Sequence, residues 1–269
     1  MDTHRLRIVP QGVDTDFFDP GAHRPMKLPI GERVWGRAAS SAKQFVFLSI
    51  FKWEERKAWS ALLKAFIQEF SALDSVSLVL LTKPYHSSDD FATQMRSWAA
   101  NHSVIDGERA VEDYPRVYVE TAHIPQDELP AVYLGADVFV LPSRGEGWGR
   151  PHMEAMAMGR PVIATNWSGP TAFLSEHVGY PLPISGLVPV ADGPFAGHMW
   201  AEPSVAHLRS IMRHVYTHPK EASHKGRAAR KHIAAHYSLQ RIAKLVVKEL
   251  WRIEERLSPQ RIASGKEEL

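Results

Sequence analysis

The 269 residues carry 32 Lys and Arg against 30 Asp and Glu, a formal net charge of +2, so no global field marks nucleic acid or a membrane surface as the main partner. An apolar share of 44% with 23% charged residues is that of an ordinary globular chain, neither disordered nor fibrous, and long enough to bury a sizeable core. The absence of cysteine removes disulfides, thiolate catalysis and Cys-based metal sites, and suits a reducing compartment.

Met1-Asp2-Thr3-His4-Arg5 opens no signal-peptide apolar region, and no stretch approaches the length of a membrane span. The expected location is cytoplasmic or peripheral to a membrane, unless a targeting segment lies upstream. Pro10, Gly12, Pro20, Gly21, Pro25, Pro29 and Gly31 break every candidate element in the first 40 residues, giving residues 1–43 the composition of a linker. From Gln44 the texture changes. Phe45 to Ile50 is a short apolar run of the kind that a buried parallel strand requires, and Trp59, Leu62, Leu63, Phe66, Ile67 and Phe70 then recur at three- and four-residue steps as one helical face.

The unit repeats. Val76 to Leu81 reads as a strand, Asp89 to Ala100 as a helix, Arg116 to Glu120 as a strand and Gln126 to Leu134 as a short helix. Asp137 to Leu141 and Pro161 to Thr165 are two more strands, separated by a helix over Pro151 to Met158 with Pro at its first position and Gly159 after its end. Beyond Ser204 the pattern is helical: Leu208, Ile211, Met212 and Val215, then Ile242, Leu245, Val246, Leu250 and Ile253 behind a Ser238 cap. Alternation of this kind predicts an α/β fold, a doubly wound parallel sheet of Rossmann-like type over residues 44–200, with C-terminal helices over 201–269 packing on the same domain. Ligands of such sheets sit at the carboxyl ends of the strands.

The chemistry concentrates in Gly145-Glu146-Gly147-Trp148-Gly149-Arg150-Pro151-His152-Met153-Glu154 and its continuation to Thr165. Three glycines in five residues let backbone approach a ligand, and the helix opened by Pro151 aims free N–H groups and its positive dipole end into the same space. Glu146 in the loop and Glu154 a turn into the helix are spaced to accept hydrogen bonds from hydroxyls of a bound ring. Singly, each residue is accounted for by turn chemistry or a favourable helix charge; together, at a sheet's carboxyl edge, they read as a site.

The segment Glu-Gly-Trp-Gly-Arg-Pro-x-x-Glu-Ala-Met-Ala-x-Gly-x-Pro-Val-Ile-Ala resembles the signature of glycosyltransferase family 4 and its group 1 relatives, enzymes of the two-Rossmann-domain GT-B fold, in its C-terminal, donor-binding domain. The resemblance implies that Glu146 meets the hydroxyls of a donor sugar and Glu154 those of the ribose. It also implies that Gly147, Trp148 and Gly149 offer backbone N–H groups to the sugar or diphosphate. Lys52-Trp53-Glu54-Glu55-Arg56-Lys57 is similar to the family's Arg-x4-Lys, with Lys52 at the Arg position, and two cations there suit a leaving diphosphate on which charge grows. Lys52 keeps that charge but lacks the planar fork of arginine. Thr121 to Pro125, with Ile124, is the expected base-contacting segment. After Leu81, where the family often has glycine, this chain has Thr82-Lys83-Pro84, with Lys83 placed to compensate at the diphosphate, and Thr171 lies at a loop-to-helix junction near the sugar.

Ile8-Val9-Pro10-Gln11-Gly12-Val13-Asp14-Thr15-Asp16-Phe17-Phe18 resembles the family's interdomain segment, which implies that an N-terminal acceptor-binding domain is missing from this chain. Asp14-Thr15-Asp16 also has the Asp-x-Asp form that holds a metal on a diphosphate in other transferases, but it lies in a turn-rich segment, so no metal and no other cofactor is expected. The basic stretch Lys220 to His236 has no aromatic platform beside it and reads as a solvated helix face rather than a nucleic-acid site. The expected activity is retaining transfer of a hexose from a nucleoside diphosphate sugar to an unidentified acceptor, very slow without the second domain. The alternative is a non-catalytic nucleotide-sugar-binding module acting on a partner. A dinucleotide-binding dehydrogenase is disfavoured because Phe-Lys-Trp-Glu, not Gly-x-Gly-x-x-Gly, follows the first strand.

Overall fold

The computed structural model describes residues 7–38, 43–85, 88–105 and 109–263, with side chains described to residue 257. Residues 1–6, read above for a targeting segment, residues 39–42 of the expected linker, and residues 264–269 of the tail lie outside the described residues.

In chain order the elements are β1 (Glu32–Trp35), β2 (Phe45–Trp53), α1 (Trp59–Glu69), β3 (Val76–Pro84), α2 (Phe91–Asn101), β4 (Arg116–Glu120), α3 (Leu129–Gly135), β5 (Val138–Leu141), α4 (Arg150–Ala157), β6 (Val162–Thr165), β7 (Tyr180–Leu182), β8 (Ile184–Pro189), β9 (Met199–Pro203), α5 (Val205–Thr217), α6 (Pro219–Tyr237) and α7 (Leu239–Ala263). Seven strands form one sheet in the order β1-β4-β3-β2-β5-β6-β7, parallel except for β1 on the edge. The chain moves outward from β2 through β3 to β4, then returns by α3 to place β5 on the other side of β2. Strand order therefore reverses between β2 and β5, and a crevice opens at their carboxyl ends. Helices cover the sheet, which is why Val76 to Thr82 and Val138 to Leu141 are buried throughout rather than in alternation.

Three features depart from the sequence reading. Residues 1–43 are not a free connector where they are described: Val13 and Phe18 are buried in the common core, and Arg230 of α6 donates to the carbonyls of Thr15 and Phe18 at 2.9 Å each. Residues 32–35 form β1, antiparallel to β4. Gly31, which looks like a breaker, instead permits that pairing: its φ is +88°, and a Cβ there would lie 2.3 Å from the carbonyl oxygen of Val119 on β4. Finally, a two-stranded antiparallel sheet, β8 with β9, follows β7 in a stretch to which the sequence reading assigned no element.

Among the C-terminal helices, α5 packs on α1, with Arg213 reaching Glu69 and Asp74 at 2.9 and 2.7 Å, and α6 packs on α4. Helix α7 is different. Leu250, Trp251, Ile253 and Leu257 on it stand 45–64% exposed. No described helix is long and apolar enough to cross a membrane.

The β1 attachment has a direct check. Gly31→Ala forces a side chain into backbone of β4 at an unfavourable φ and is expected to lower stability by about 1–3 kcal/mol in urea unfolding. Gly21→Ala, whose added Cβ meets nothing nearer than 3.5 Å, should stay within about 0.5 kcal/mol of the parent. Equal stability of the two variants would contradict the tight β1–β4 junction.

Candidate functional site

The carboxyl end of β2 runs straight into a short turn, Glu55 to Lys57, ahead of α1. Beneath it Trp53 stacks on Trp59 at 4.5 Å between ring centroids, Phe91 sits 4.6 Å from Trp53, and the Trp53 indole N–H donates to Gln94 at 2.9 Å. Each such aromatic pair is worth about 0.5–1.5 kcal/mol beyond its burial, so the turn stands on a stiff base. Ala58 closes it at φ 50°, a left-handed conformation uncommon for a residue with a Cβ.

That turn delivers two cations to one carboxylate. Lys57 Nζ lies 2.7 Å from Glu146 Oε1, and Arg56 Nη1 lies 2.9 Å from Glu146 Oε2. Arg56 also donates to the Gly145 carbonyl at 2.6 Å and, through Nη2, to Glu54 at 2.7 Å. Backbone contacts fix the same loop: Arg144 N–H donates to the Arg56 carbonyl, Glu146 N–H to Ser168 Oγ, and Gly169 N–H to the Glu146 carbonyl. Burial raises the Glu146 carboxyl toward its neutral form, but Lys57 and then Arg56 outweigh it and hold the group below the usual carboxylate range. Glu146 is thus a fixed anion that accepts hydrogen bonds and has none to give.

Glu154, on α4, sits in the opposite environment. It is largely buried, accepts a hydrogen bond from the Tyr133 hydroxyl at 2.9 Å, and has Arg150 at 3.6 Å. Here burial dominates, and the carboxyl is held above its ordinary value despite Tyr133 and Arg150. It opens on a cavity of about 300 Å³ with Gln126, Arg150 and Phe17.

The largest opening at the sheet's carboxyl end is a cleft of about 630 Å³ lined by Lys52, Arg56, Lys57, Thr82, Lys83, Ile124 and Pro151 among others. Four predicted residues, Lys52, Lys57, Lys83 and Ile124, therefore share one space at the switch point. Lys83 Nζ lies 2.8 Å from His123 Nδ1, and Lys52 lies over the Tyr85 ring at 5.4 Å. A smaller opening of about 430 Å³, lined by Arg56, Gly145, Glu146, Gly147, Ser168 and Trp200, adjoins it through Arg56.

Lys57, expected to face a diphosphate, lines the main cleft and pairs its ammonium with Glu146. Glu146 and Glu154, expected to flank a ligand, border two openings on either side of the first turn of α4, with Arg150 lining the one beside Glu154 and Pro151 lining the main cleft. Trp148 turns inward, its indole N–H on Met153 Sδ at 2.7 Å and its ring against Phe173 and Tyr237, while Gly169 packs against its backbone. Thr171 spends its hydroxyl on the Ser168 carbonyl at 2.7 Å and lines none of the openings described above. Gly147 is exposed, and Gly149 takes φ +109° to start α4. Sequence reasoning missed Arg56, Trp200 and Thr82. The Thr82 hydroxyl borders the main cleft, buried and without a hydrogen-bond partner. Among the described residues no three His, Asp or Glu side chains cluster as a metal site needs.

The family model described as "Glycosyl transferases group 1" matches residues 42–192, more than half of the chain. D-inositol 3-phosphate glycosyltransferase of Mycobacteroides abscessus is 25% identical over 214 residues, which is 79% of this chain and 43% of that protein. Sucrose-phosphate synthase from Thermosynechococcus elongatus superposes with a TM-score of 0.64 at 21% identity, covering 93% of this chain and 53% of that one. Anabaena HepE, solved in complex with UDP and glucose, superposes with a TM-score of 0.58 at 16% identity over 78% of this chain and 48% of its own. The chain thus spans about half the length, or less, of these relatives.

The contrast between the two glutamates predicts a pH signature. A carboxyl whose folded-state pKa is raised destabilises the fold only once pH climbs above its unfolded value, and fully above its folded value. Glu154→Gln keeps an acceptor for Tyr133 and removes the buried charge. It should match the parent in urea unfolding at pH 4 and exceed it at pH 7; a variant no more stable than the parent at pH 7 would show that the carboxylate is not penalised there.

Proposed function

The chain belongs to the group 1 glycosyltransferases, and from that membership we propose that it binds a nucleoside diphosphate sugar and supports transfer of the hexose, with retention of anomeric configuration, to an acceptor held by a second domain. The observation that carries the proposal is the shared cleft at the strand-order reversal, where Lys52, Lys83, Arg56 and Lys57 bring four cations to one cavity that adjoins the Glu146 opening. A donor laid there puts its diphosphate against Lys52, Lys83 and the amino end of α4, its sugar hydroxyls on Glu146, and its base beside Ile124. Its ribose reaches around the α4 turn toward Glu154, whose Oε1, 3.6 Å from Arg150 and not bonded by Tyr133, accepts a hydroxyl. The UDP and glucose bound by the similarly folded HepE are in keeping with a donor of this class.

As the bond between the anomeric carbon and the diphosphate breaks, the electron pair and its charge move onto the leaving phosphate. The ammonium groups of Lys52 and Lys83, on exchanging their present contacts for phosphate oxygens, stabilise that charge, so no divalent metal and no other cofactor is required. No side chain is assigned as a nucleophile. The contribution of this domain is orientation, charge stabilisation and, once the cleft closes, exclusion of water. The exposed apolar row on α7, Leu250, Trp251, Ile253 and Leu257, supports a second domain that completes the acceptor side.

Calorimetric titration of UDP, GDP and ADP into the parent and Glu154→Ala tests the assignment. The parent should bind one of the three, and the variant should bind it at least about tenfold more weakly, the effect of losing a hydrogen bond to a charged buried acceptor. Equal affinity would remove Glu154 from the ribose site.

A further inference from the structure

The hairpin β8–β9 has no place in the donor site as read from the sequence, yet it is tied to the loop that presents Glu146. Ala201 N–H on β9 donates to the Arg144 carbonyl at 3.1 Å, while the Arg144 N–H reaches Arg56 on the other side at 2.7 Å. Residue 144 is therefore a bridge between the hairpin and the cationic turn. Its side chain repeats the link: the guanidinium grips Glu202 with Nε and Nη2 at 2.7 and 3.2 Å, a bidentate pair with fixed geometry, and lies 5.2 Å over the ring of Trp200.

The consequence is that Trp200, which is only part-buried, borders the same opening as Glu146, Gly145, Gly147 and Ser168. Its neighbours Met199 and Ala201 lie on the opposite face of the strand, which is exposed at Met199 and buried at Ala201. An indole held by a cation on one side and bordering a shallow opening that also carries Glu146 and Ser168 is placed to contact a ligand that is apolar on one face and rich in hydroxyls around its edge. A pyranose has that character, with C–H groups on its faces and hydroxyls for Glu146 at its rim.

We infer that Trp200 is the aromatic wall of the sugar subsite and that the β8–β9 hairpin selects the transferred sugar, with Arg144 and Glu202 as the positioning pair that sets the indole. This inference rests on the donor reading above and adds to it a residue that discriminates the sugar from the nucleotide.

The test compares two ligands on each variant by calorimetry: the nucleoside diphosphate that the parent accepts among UDP, GDP and ADP, and its glucose and mannose conjugates. Trp200→Ala should bind the tighter conjugate about tenfold more weakly while changing affinity for the bare diphosphate less than twofold, which also shows that the variant is folded. Trp200→Phe should recover most of the loss, and Glu202→Gln should reproduce part of it. An unchanged conjugate affinity in Trp200→Ala overturns the inference. So does an equal loss on both ligands, which would make Trp200 structural while leaving the donor site standing. If the parent binds none of the nucleotides or conjugates, the donor reading itself fails and the subsite falls with it.

Discussion

The carboxylate of Glu146 is removed from water and matched by two cations from a different part of the chain, and the geometry of the whole site follows from that arrangement. A desolvated carboxylate is tolerated only with close partners, and truncating one side of such a pair costs several kcal/mol because the other charge remains. The partners stand on the turn after β2, the carboxylate on the loop after β5. These are the two strands on either side of the order reversal, so the ion pair closes the crevice floor. Backbone hydrogen bonds from Arg144 to Arg56 and from Glu146 to Ser168 run in parallel with it. Three segments distant in sequence are thus one mechanical unit, and the glycines between them lie on a frame rather than in a floppy loop.

The two glutamates show how one site keeps acceptors of different character. Glu146 is ionised by its neighbours and locked. Glu154 is buried against Tyr133, a hydroxyl that burial itself keeps protonated and therefore a donor. Burial disfavours the charged form of Glu154, and an ionisable group held in such surroundings beside an open cavity is the pattern expected where binding rather than stability sets the residue.

The alternation of strand and helix was legible because parallel strands buried on both faces must be continuous apolar runs, and Phe45 to Ile50, Val76 to Leu81 and Val138 to Leu141 are such runs. Edge elements leave a weaker trace. In β1 the sequence Glu-Arg-Val-Trp is half exposed and bounded by Gly31 and Gly36, whose role in close approach to β4 is indistinguishable, in sequence, from breaking a strand. The hairpin fails to announce itself for a similar reason: β8 alternates between half-buried and exposed positions, contains Gly186 and ends in Pro189. Of the site, the positions of Lys52, Lys57, Glu146 and Glu154 at the sheet's carboxyl end followed from motif and topology. Which cation meets which carboxylate did not, because Arg56 and Lys57 are adjacent in sequence and the reach of each side chain is set by the conformation of the short turn that carries them.

This pairing bears on how the cleft would treat a charged ligand. With Lys57 and Arg56 engaged by Glu146, the cations left to meet a diphosphate directly are Lys52 and Lys83 at the rim, which donate as point charges and impose no planar geometry. Lys83 leans on His123 and Lys52 on Tyr85, contacts weak enough to be exchanged for phosphate oxygens. A sugar hydroxyl donating to Glu146 competes instead with two strong charge-assisted bonds and adds to them only through the remaining lone pairs of the carboxylate. The cleft is therefore soft where it faces phosphate and rigid where it faces the sugar. Discrimination should reside on the rigid side, where the Glu146 loop and the hairpin carrying Trp200 are held by the same arginine, Arg144.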